Sequence, residues 1–279
     1  METIKIFKDA LTYPLSDWKK ILFLGIIIIL AGIEDISLSF GINNPYLTSL
    51  LIVIGFIIGF LINGYMFRIL KSSLNGDEKL PEFNKWIDMG VDGAKVFLAF
   101  AVYLIIPVLI IVSVLPLLMS DSLYLPYNFS ILGSIGLNLF VSVIFPAIMT
   151  IFAILFTFFA PYGIFAPIYL IIAIPLFLVA IANMAYYDGE FKSAFRFREI
   201  LEEISSIGWS NLLKWYLMLL IFVIVFIIIS SVVSYISSLF NLYFVYITVG
   251  ILLSLVLTSY FYIFLARSLA LFYMPDKEE

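Results

Sequence analysis

Long stretches without any charged side chain dominate this chain. Four of them cover residues 36–67, 96–120, 122–187 and 215–266. About 20 consecutive apolar residues cross the hydrocarbon core of a bilayer as an α-helix, which satisfies its own backbone hydrogen bonds where water is absent. The stretches therefore predict an all-α fold, a polytopic transmembrane helical bundle.

The overall composition agrees with this prediction. Apolar residues make up 64% of the chain and charged residues 12%, whereas a soluble domain has about 45–50% and about 25%. We expect one membrane domain over residues 1–279, with six spans. The predicted spans are residues 21–40, 47–70, 96–119, 161–184, 212–238 and 243–271.

Residues 131–160 leave the number of spans open. The segment is apolar enough to cross, but Pro146 interrupts it and Pro161 follows it directly, and proline breaks the interior of a helix. A re-entrant or outward-lying broken helix keeps the later basic residues on the same side as the earlier ones, so we favour it. A seven-span bundle is the alternative.

The fifteen basic residues predict the orientation. They form four clusters, within residues 5–20, 68–95, 192–214 and 267–277, and the other connections contain no Lys or Arg. Because Lys and Arg are enriched in cytoplasmic loops, we expect a multi-pass protein of the cell membrane with both termini in the cytoplasm. The four tryptophans lie beside these clusters, so we interpret Trp18, Trp86, Trp209 and Trp215 as an interfacial belt.

Three segments of the chain resemble one another. Each carries an apolar stripe at helical spacing with charged residues on the opposite face, which is typical of an amphipathic helix in the cytoplasmic membrane interface or against the ends of the spans. Kinks are expected at Pro14 and Gly90. The repeat predicts three units, each a helix plus a membrane hairpin, over residues 4–70, 83–185 and 197–271. The stripes are Phe7, Leu11, Leu15 and Trp18; Phe83, Ile87, Val91 and Ala94; and Phe197, Leu201, Ile204 and Ile207.

Few polar residues lie within the predicted spans. Glu34 and Asp35 are candidates for proton or cation coupling, because an ionisable group inside a membrane is costly and is functional by default. A short first span would instead leave both acids at the outer headgroups. Asn63 and Asn183 are candidate intramembrane polar residues that join helices by hydrogen bonds.

Two arginines are candidate lipid-headgroup ligands. Arg68 and Arg267 each lie near the cytoplasmic end of the second span of a unit. A long cationic side chain at this position snorkels to the interface, and an anionic headgroup suits it there. The small residues Gly55 and Gly59 have the spacing of a close helix–helix contact.

Several classes of site are excluded or disfavoured. The chain has no Cys and no His, which removes disulfides, thiol nucleophiles and the commonest general base and metal ligand. Asp88 and Asp92 are one turn apart, but we interpret them as a solvated helix face. We therefore expect no enzyme, no cofactor, no metal and no nucleic-acid partner.

The loop over residues 75–86 carries a recognisable pattern, Asn-Gly-Asp-Glu-Lys-Leu-Pro-Glu-Phe-Asn-Lys-Trp, and residues 182–186 and 191–195 carry a later one. The chain thereby resembles an uncharacterised archaeal membrane family, common in methanogens, which is a domain of unknown function with a Leu-Pro-x-Phe-x-x-Trp cytoplasmic loop. The resemblance covers nearly the whole chain. It implies a multi-pass membrane protein with no established activity and no functional residues to transfer.

Two functions remain open at this point. The first is a non-enzymatic membrane component that organises lipids or partner proteins through its cytoplasmic helices. Its partners would be the lipid bilayer, other membrane proteins or further copies of the chain. The second is a small-solute or ion permease, since proline-broken helices expose backbone to substrates in transporters. A polar cavity lined by Glu34, Asn63 or Asn183 would favour the permease.

Overall fold

The computed structural model of the chain describes residues 3–42, 44–108, 165–239 and 243–274. These ranges are almost entirely helical and contain no strand, which confirms the predicted all-α class. The α-helices are α1 (Thr3–Thr12), α2 (Trp18–Ala31), α3 (Ile33–Ser39), α4 (Pro45–Leu74), α5 (Trp86–Phe100), α6 (Phe165–Tyr186), α7 (Phe197–Ile207), α8 (Trp209–Leu239), α9 (Tyr243–Leu252) and α10 (Ser259–Tyr273).

Five helical stretches in the described ranges are long and apolar enough to cross a membrane. They overlap the second to the sixth predicted span. Two of them contain short π-helical segments, Ala101–Ile105 after α5 and Leu253–Thr258 between α9 and α10. The segment over residues 131–160 lies outside the described residues. The stretches are Pro45–Leu74, Trp86–Val108, Tyr169–Tyr186, Trp209–Val233 and Thr248–Tyr273.

The first predicted span, residues 21–40, differs from the prediction. It is divided at Gly32 into α2, with 14 residues, and α3, with 7. At 1.5 Å per residue α2 is about 21 Å long, which is shorter than a hydrocarbon core of about 30 Å. The amide of Gly32 donates to the carbonyls of both Ile28 and Ile29, so the last turn of α2 tightens and the regular helix stops there.

The expected kink at Pro14 is present, whereas the one at Gly90 is not. α1 ends at Thr12, a 3-10 turn over Tyr13–Ser16 contains Pro14, and the Asp17 carboxylate caps the start of α2. α5 runs through Gly90 without a break and continues into the second of the five stretches. A glycine weakens a helix but does not interrupt its hydrogen bonds. Packing of α5 against α4 supports the helix at Gly90.

The predicted apolar stripes are only partly the faces that become buried. In α5 the predicted Ile87 and Val91 are exposed, while Met89 and Val96 are buried. α7 is a separate amphipathic helix that ends at Gly208, whose φ of +98° only glycine adopts readily. α7 buries Ile200 and Ile204 and leaves Phe197 and Leu201 exposed.

Glycines let the helices approach each other closely. A Cβ atom on Gly64 would lie 1.7 Å from the Met89 carbonyl oxygen, and one on Gly93 would lie 1.8 Å from the Phe60 carbonyl oxygen, so α4 and α5 meet backbone to backbone. Gly55 makes the same kind of contact with the backbone of Ala31. The sequence spacing predicted this contact for Gly55. α4 and α5 are therefore held in close backbone contact along this face.

This packing predicts the effect of adding one methyl group. We expect Gly93→Ala to lower the free energy of unfolding by about 1–3 kcal/mol, because the new Cβ collides with backbone that cannot move aside. Thermal unfolding of the purified protein, followed by tryptophan fluorescence, measures the change. Gly90→Ala on the same helix is the matched control, since its Cβ would meet only Leu61 at an ordinary 3.5 Å. Equal losses in both variants would contradict the proposed backbone contact.

Candidate functional site

The four basic clusters meet at one end of the bundle, here called the charged end. Lys71 at the end of α4 pairs with Asp188, with a distance of 2.9 Å between Nζ and Oδ1. Lys20 of α2 pairs with Glu82 at 2.8 Å. The guanidinium of Arg267 in α10 donates to the carbonyl of Asp77 at 3.0 Å. Residues distant in sequence therefore form one polar surface.

The core of this surface is loop A, residues 75–85, which connects α4 to α5. Few hydrogen bonds join its backbone groups to one another, and several of its carbonyl groups accept hydrogen bonds from side chains of the helices. Five side chains from the 3-10 turn, α2, α4 and α10 supply them. The donors and acceptors are Arg267 to Asp77 (3.0 Å), Tyr13 to Lys79 (3.0 Å), Lys20 to Leu80 (2.6 Å), Tyr65 to Pro81 (3.0 Å), and Arg68 to Glu82 (2.9 Å) and Asn84 (2.7 Å).

Apolar side chains of loop A complete its attachment. Leu80 is buried in the core. The Phe83 ring stacks on the Tyr65 ring with centroids 3.8 Å apart, and the edge of Phe23 approaches Phe83 at 4.7 Å. Trp86 begins α5 and keeps 41% of its surface exposed. The Leu-Pro-x-Phe-x-x-Trp spacing thus places Leu80 in the core, the half-buried Phe83 against Tyr65 and the exposed ring of Trp86 at the surface.

Arg267 has a different environment from the one the sequence predicts. Its side chain is only 8% exposed, its Nε donates to the Asp9 carboxylate at 2.8 Å, and its guanidinium carbon lies 4.6 Å from the centre of the Tyr13 ring. A buried guanidinium must be paired and hydrogen-bonded. Burial also raises the pKa of the Tyr13 phenol, which keeps its proton for Lys79.

Arg68 and Arg267 therefore bind the chain itself. Arg68 directs one guanidinium nitrogen to Glu82 and Asn84 of loop A. Arg267 is buried and its donors are engaged by loop A and Asp9, so it is not available to a lipid headgroup in this structure. Arg68 is half-buried, and its role as a headgroup ligand stays a prediction. Sequence position places an arginine near the interface but does not show which acceptors the fold brings to it.

Loop B, residues 187–196 between α6 and α7, is held by the same chemistry. Lys95 donates to the Gly189 carbonyl at 3.0 Å, and Tyr103 donates to the Ala194 carbonyl at 2.7 Å. The buried Asn183 donates to Ser193 at 3.0 Å and accepts from the Tyr273 hydroxyl at 2.6 Å. The Lys71 ammonium lowers the pKa of Asp188, which keeps their ion pair charged at neutral pH.

The candidate intramembrane polar residues do not come together. Asn183 joins α6 to α10 through Tyr273, as a helix-joining asparagine should, but Asn63 donates to Gly59 of its own helix at 2.7 Å. Glu34 is buried in the first turn of α3, while its neighbour Asp35 is exposed. The two adjacent acids thus lie in different environments.

A small cavity lies between α4, α5, α6 and α10. Its volume is about 70 Å³, and its lining is apolar except for Asn63 and Tyr262. Of the three residues whose convergence would favour a permease, it contains Asn63 but neither Glu34 nor Asn183. A space of this size holds a few water molecules or a small apolar group.

The tryptophans divide into three exposed side chains and one buried. Trp18, Trp86 and Trp209 have 52%, 41% and 55% of their surface exposed, whereas Trp215 has none. The Trp215 ring stacks on Phe272 at 4.7 Å, and its N–H donates to the Ser268 hydroxyl at 2.9 Å. The interpretation of Trp215 as a belt residue is therefore corrected, because its polar atom is satisfied inside the protein.

Comparison with known proteins gives one match. The family model described as a protein of unknown function (DUF4013) matches residues 47–237. No curated protein and no solved structure matches the chain. The matched range includes both loops and the donors Tyr65 and Arg68, whereas Tyr13, Lys20 and Arg267 lie outside it.

The contacts of Arg267 predict a large effect of its removal. We expect Arg267→Gln to lower the free energy of unfolding by about 2–3 kcal/mol, since Asp9 and the Asp77 carbonyl both lose their donor. Trypsin should also cut faster after Lys5, Lys8 and Lys79. The control is Arg198→Gln, because the Arg198–Glu202 pair is exposed and such pairs contribute little. Similar melting temperatures for the two variants would count against the assigned role of Arg267.

Proposed function

The chain belongs to the DUF4013 family of unknown function, and we propose that it is a non-enzymatic membrane component. Its charged end would bind lipids or partner proteins. The observation that supports the proposal is that two groups of side chains at this end have different roles. Interior polar side chains hold loops A and B, while apolar and basic side chains remain exposed around them.

The polar side chains of the interior support a structural role. An enzyme or a permease needs polar groups that converge on a substrate. Here Tyr103, Asn183 and Arg267 converge on loop carbonyls, and each hydrogen bond fixes a loop to a helix. The result favours a rigid surface for binding over a path for a solute.

The exposed side chains support binding of a membrane surface or a partner. α7 presents Phe197 and Leu201, and the exposed Trp209 lies two residues after its end, at the start of α8. Basic residues such as Lys192 and Lys214 flank this region in sequence. Amphipathic helices with exposed apolar residues and nearby cations bind lipid interfaces, and the same surface could accept a membrane protein or a second copy of the chain.

The permease remains the alternative, and two observations favour it. Glu34 is buried, and π-helical segments such as Ala101–Ile105 and Leu253–Thr258 are frequent at functional sites. In that case Glu34 would couple the movement of an ion to that of a solute.

The orientation in the cell membrane, with both termini and the charged end in the cytoplasm, is part of the proposal and can be tested by labelling. The chain has no natural Cys, so Ser205→Cys on α7 and Tyr46→Cys at the start of α4 each give one thiol at an exposed position. In intact cells a membrane-impermeant maleimide should label Tyr46→Cys, and Ser205→Cys only after permeabilisation. The reverse pattern would invert the orientation.

The binding role can be tested with a photo-crosslinking amino acid at Leu201 in native membranes. We expect it to form adducts with lipids or with another protein, because this side chain is exposed on α7. The matched control is Ile204, three residues on and fully buried, where only intramolecular adducts should form.

Flux measurements in proteoliposomes distinguish the permease from the binding role. With imposed proton, sodium and potassium gradients, the proposed function predicts no flux above that of empty liposomes. A flux that Glu34→Gln abolishes and Asp35→Asn preserves would replace the binding role with a permease.

A further inference from the structure

Aromatic and basic side chains form a surface where α2 meets the start of α5. This aromatic–lysine patch consists of Lys19, Phe23, Phe83, Lys85 and Trp86. The Phe23 and Trp86 rings lie 6.1 Å apart, and each contacts Phe83, at 4.7 and 6.2 Å. Lys19 lies one helical turn before Phe23, and Lys85 directly precedes Trp86. The nearest members of the two halves, Phe23 and Phe83, are 60 positions apart in sequence.

Interactions behind the patch hold its two halves in place. The Lys20 ammonium binds both the Leu80 carbonyl at 2.6 Å and the Glu82 carboxylate at 2.8 Å. Arg68 binds the Asn84 carbonyl at 2.7 Å, and Phe83 stacks on Tyr65. The patch is therefore formed before any ligand arrives, which reduces the entropy lost on binding.

Two cations of the patch have no ion-pair partner in the described ranges. Behind them Lys20 pairs with two acids, Asp17 at 3.6 Å and Glu82 at 2.8 Å, and the exposed Asp88 lies in the first turn of α5. Lys19 and Lys85 are exposed, and within the described ranges neither ammonium makes a hydrogen bond or an ion pair. These two cations are available to an anionic ligand.

The surroundings of the patch indicate a lipid as the ligand. Phe23 and Trp86 are 40% and 41% exposed. Along α2 the exposed Leu22, Ile26 and Leu30 follow at intervals of four residues and continue this surface as an apolar stripe. An aromatic and basic border at the end of an apolar stripe matches the headgroup region of a bilayer, with the stripe against the acyl chains.

We propose that the aromatic–lysine patch is a binding site for an anionic phospholipid. Lys19 and Lys85 would contact the phosphate and headgroup, while Phe23 and Trp86 would pack on the glycerol and upper acyl region. The inference rests on the proposed function and names the lipid class. It assigns headgroup binding to two lysines in place of Arg68 and Arg267.

Native mass spectrometry of the full chain from mixed micelles tests the site. The probes are phosphatidylglycerol and phosphatidylcholine of the same acyl composition. Removing both lysines with Lys19→Gln/Lys85→Gln should lower the retention of phosphatidylglycerol by about fivefold for each lysine and leave phosphatidylcholine unchanged. Because neither ammonium has a partner within the described ranges, the melting temperature should not change.

The matched control is Lys5→Gln/Lys8→Gln, which removes the same charge from exposed positions of α1. Equal losses in the two double variants would show a general charge effect and overturn the site, as would full retention by Lys19→Gln/Lys85→Gln. A photo-crosslinker at Trp86 that yields only protein adducts would assign the patch to an acidic partner or a second copy instead.

Different results would refute the proposed binding role and the proposed lipid site. If Leu201 still forms adducts while the patch variant retains phosphatidylglycerol, the binding role stands and the lipid site is wrong. If proteoliposomes show a flux that depends on Glu34, the binding role itself is wrong, whatever the lipid result.

Discussion

Hydrogen bonds from four helical elements to the backbone carbonyls of loop A tie the charged end of the bundle together. Leu80 is buried and Pro81 half-buried, and a buried carbonyl without a donor costs about 1–3 kcal/mol. Asp77, Lys79, Glu82 and Asn84 are exposed, so water could replace the donors of their carbonyls. The donors come from the 3-10 turn, α2, α4 and α10. Satisfying one loop therefore fixes the relative positions of helices from both ends of the chain.

Such hydrogen bonds also limit what the polar residues can do. Arg68, Arg267 and Asn183 were candidates from the sequence, yet each contacts a loop backbone. The side chains left over at the charged end are of a different kind: exposed aromatic and aliphatic groups, and lysines without partners in the described ranges. Such side chains are typical of a surface that contacts a membrane. The proposed function and the proposed lipid site both depend on them.

The sequence predictions were accurate where a feature depends on residues close together in sequence, and less accurate where it depends on distant residues. The uncharged stretches predicted the helical membrane class and five of the spans, because bilayer thickness sets helix length locally. Pro14 predicted its kink for a similar local reason. Gly32, which divides the first predicted span, looks like any other glycine in an apolar run, since a single glycine is compatible with both a continuous helix and its end.

Composition and residue pattern were enough to predict the all-α membrane class, the clustering of the basic residues along the chain and the amphipathic character of the segment that becomes α7. Which acceptors the basic side chains bind depends on how the helices pack. Arg267 meets Asp9 across 258 positions of sequence, and Trp215 meets Ser268 across 53. Apolar helices of similar composition carry too little information to specify such partners, so whether a cation binds its own loop or remains free for lipid depends on the packing of the helices.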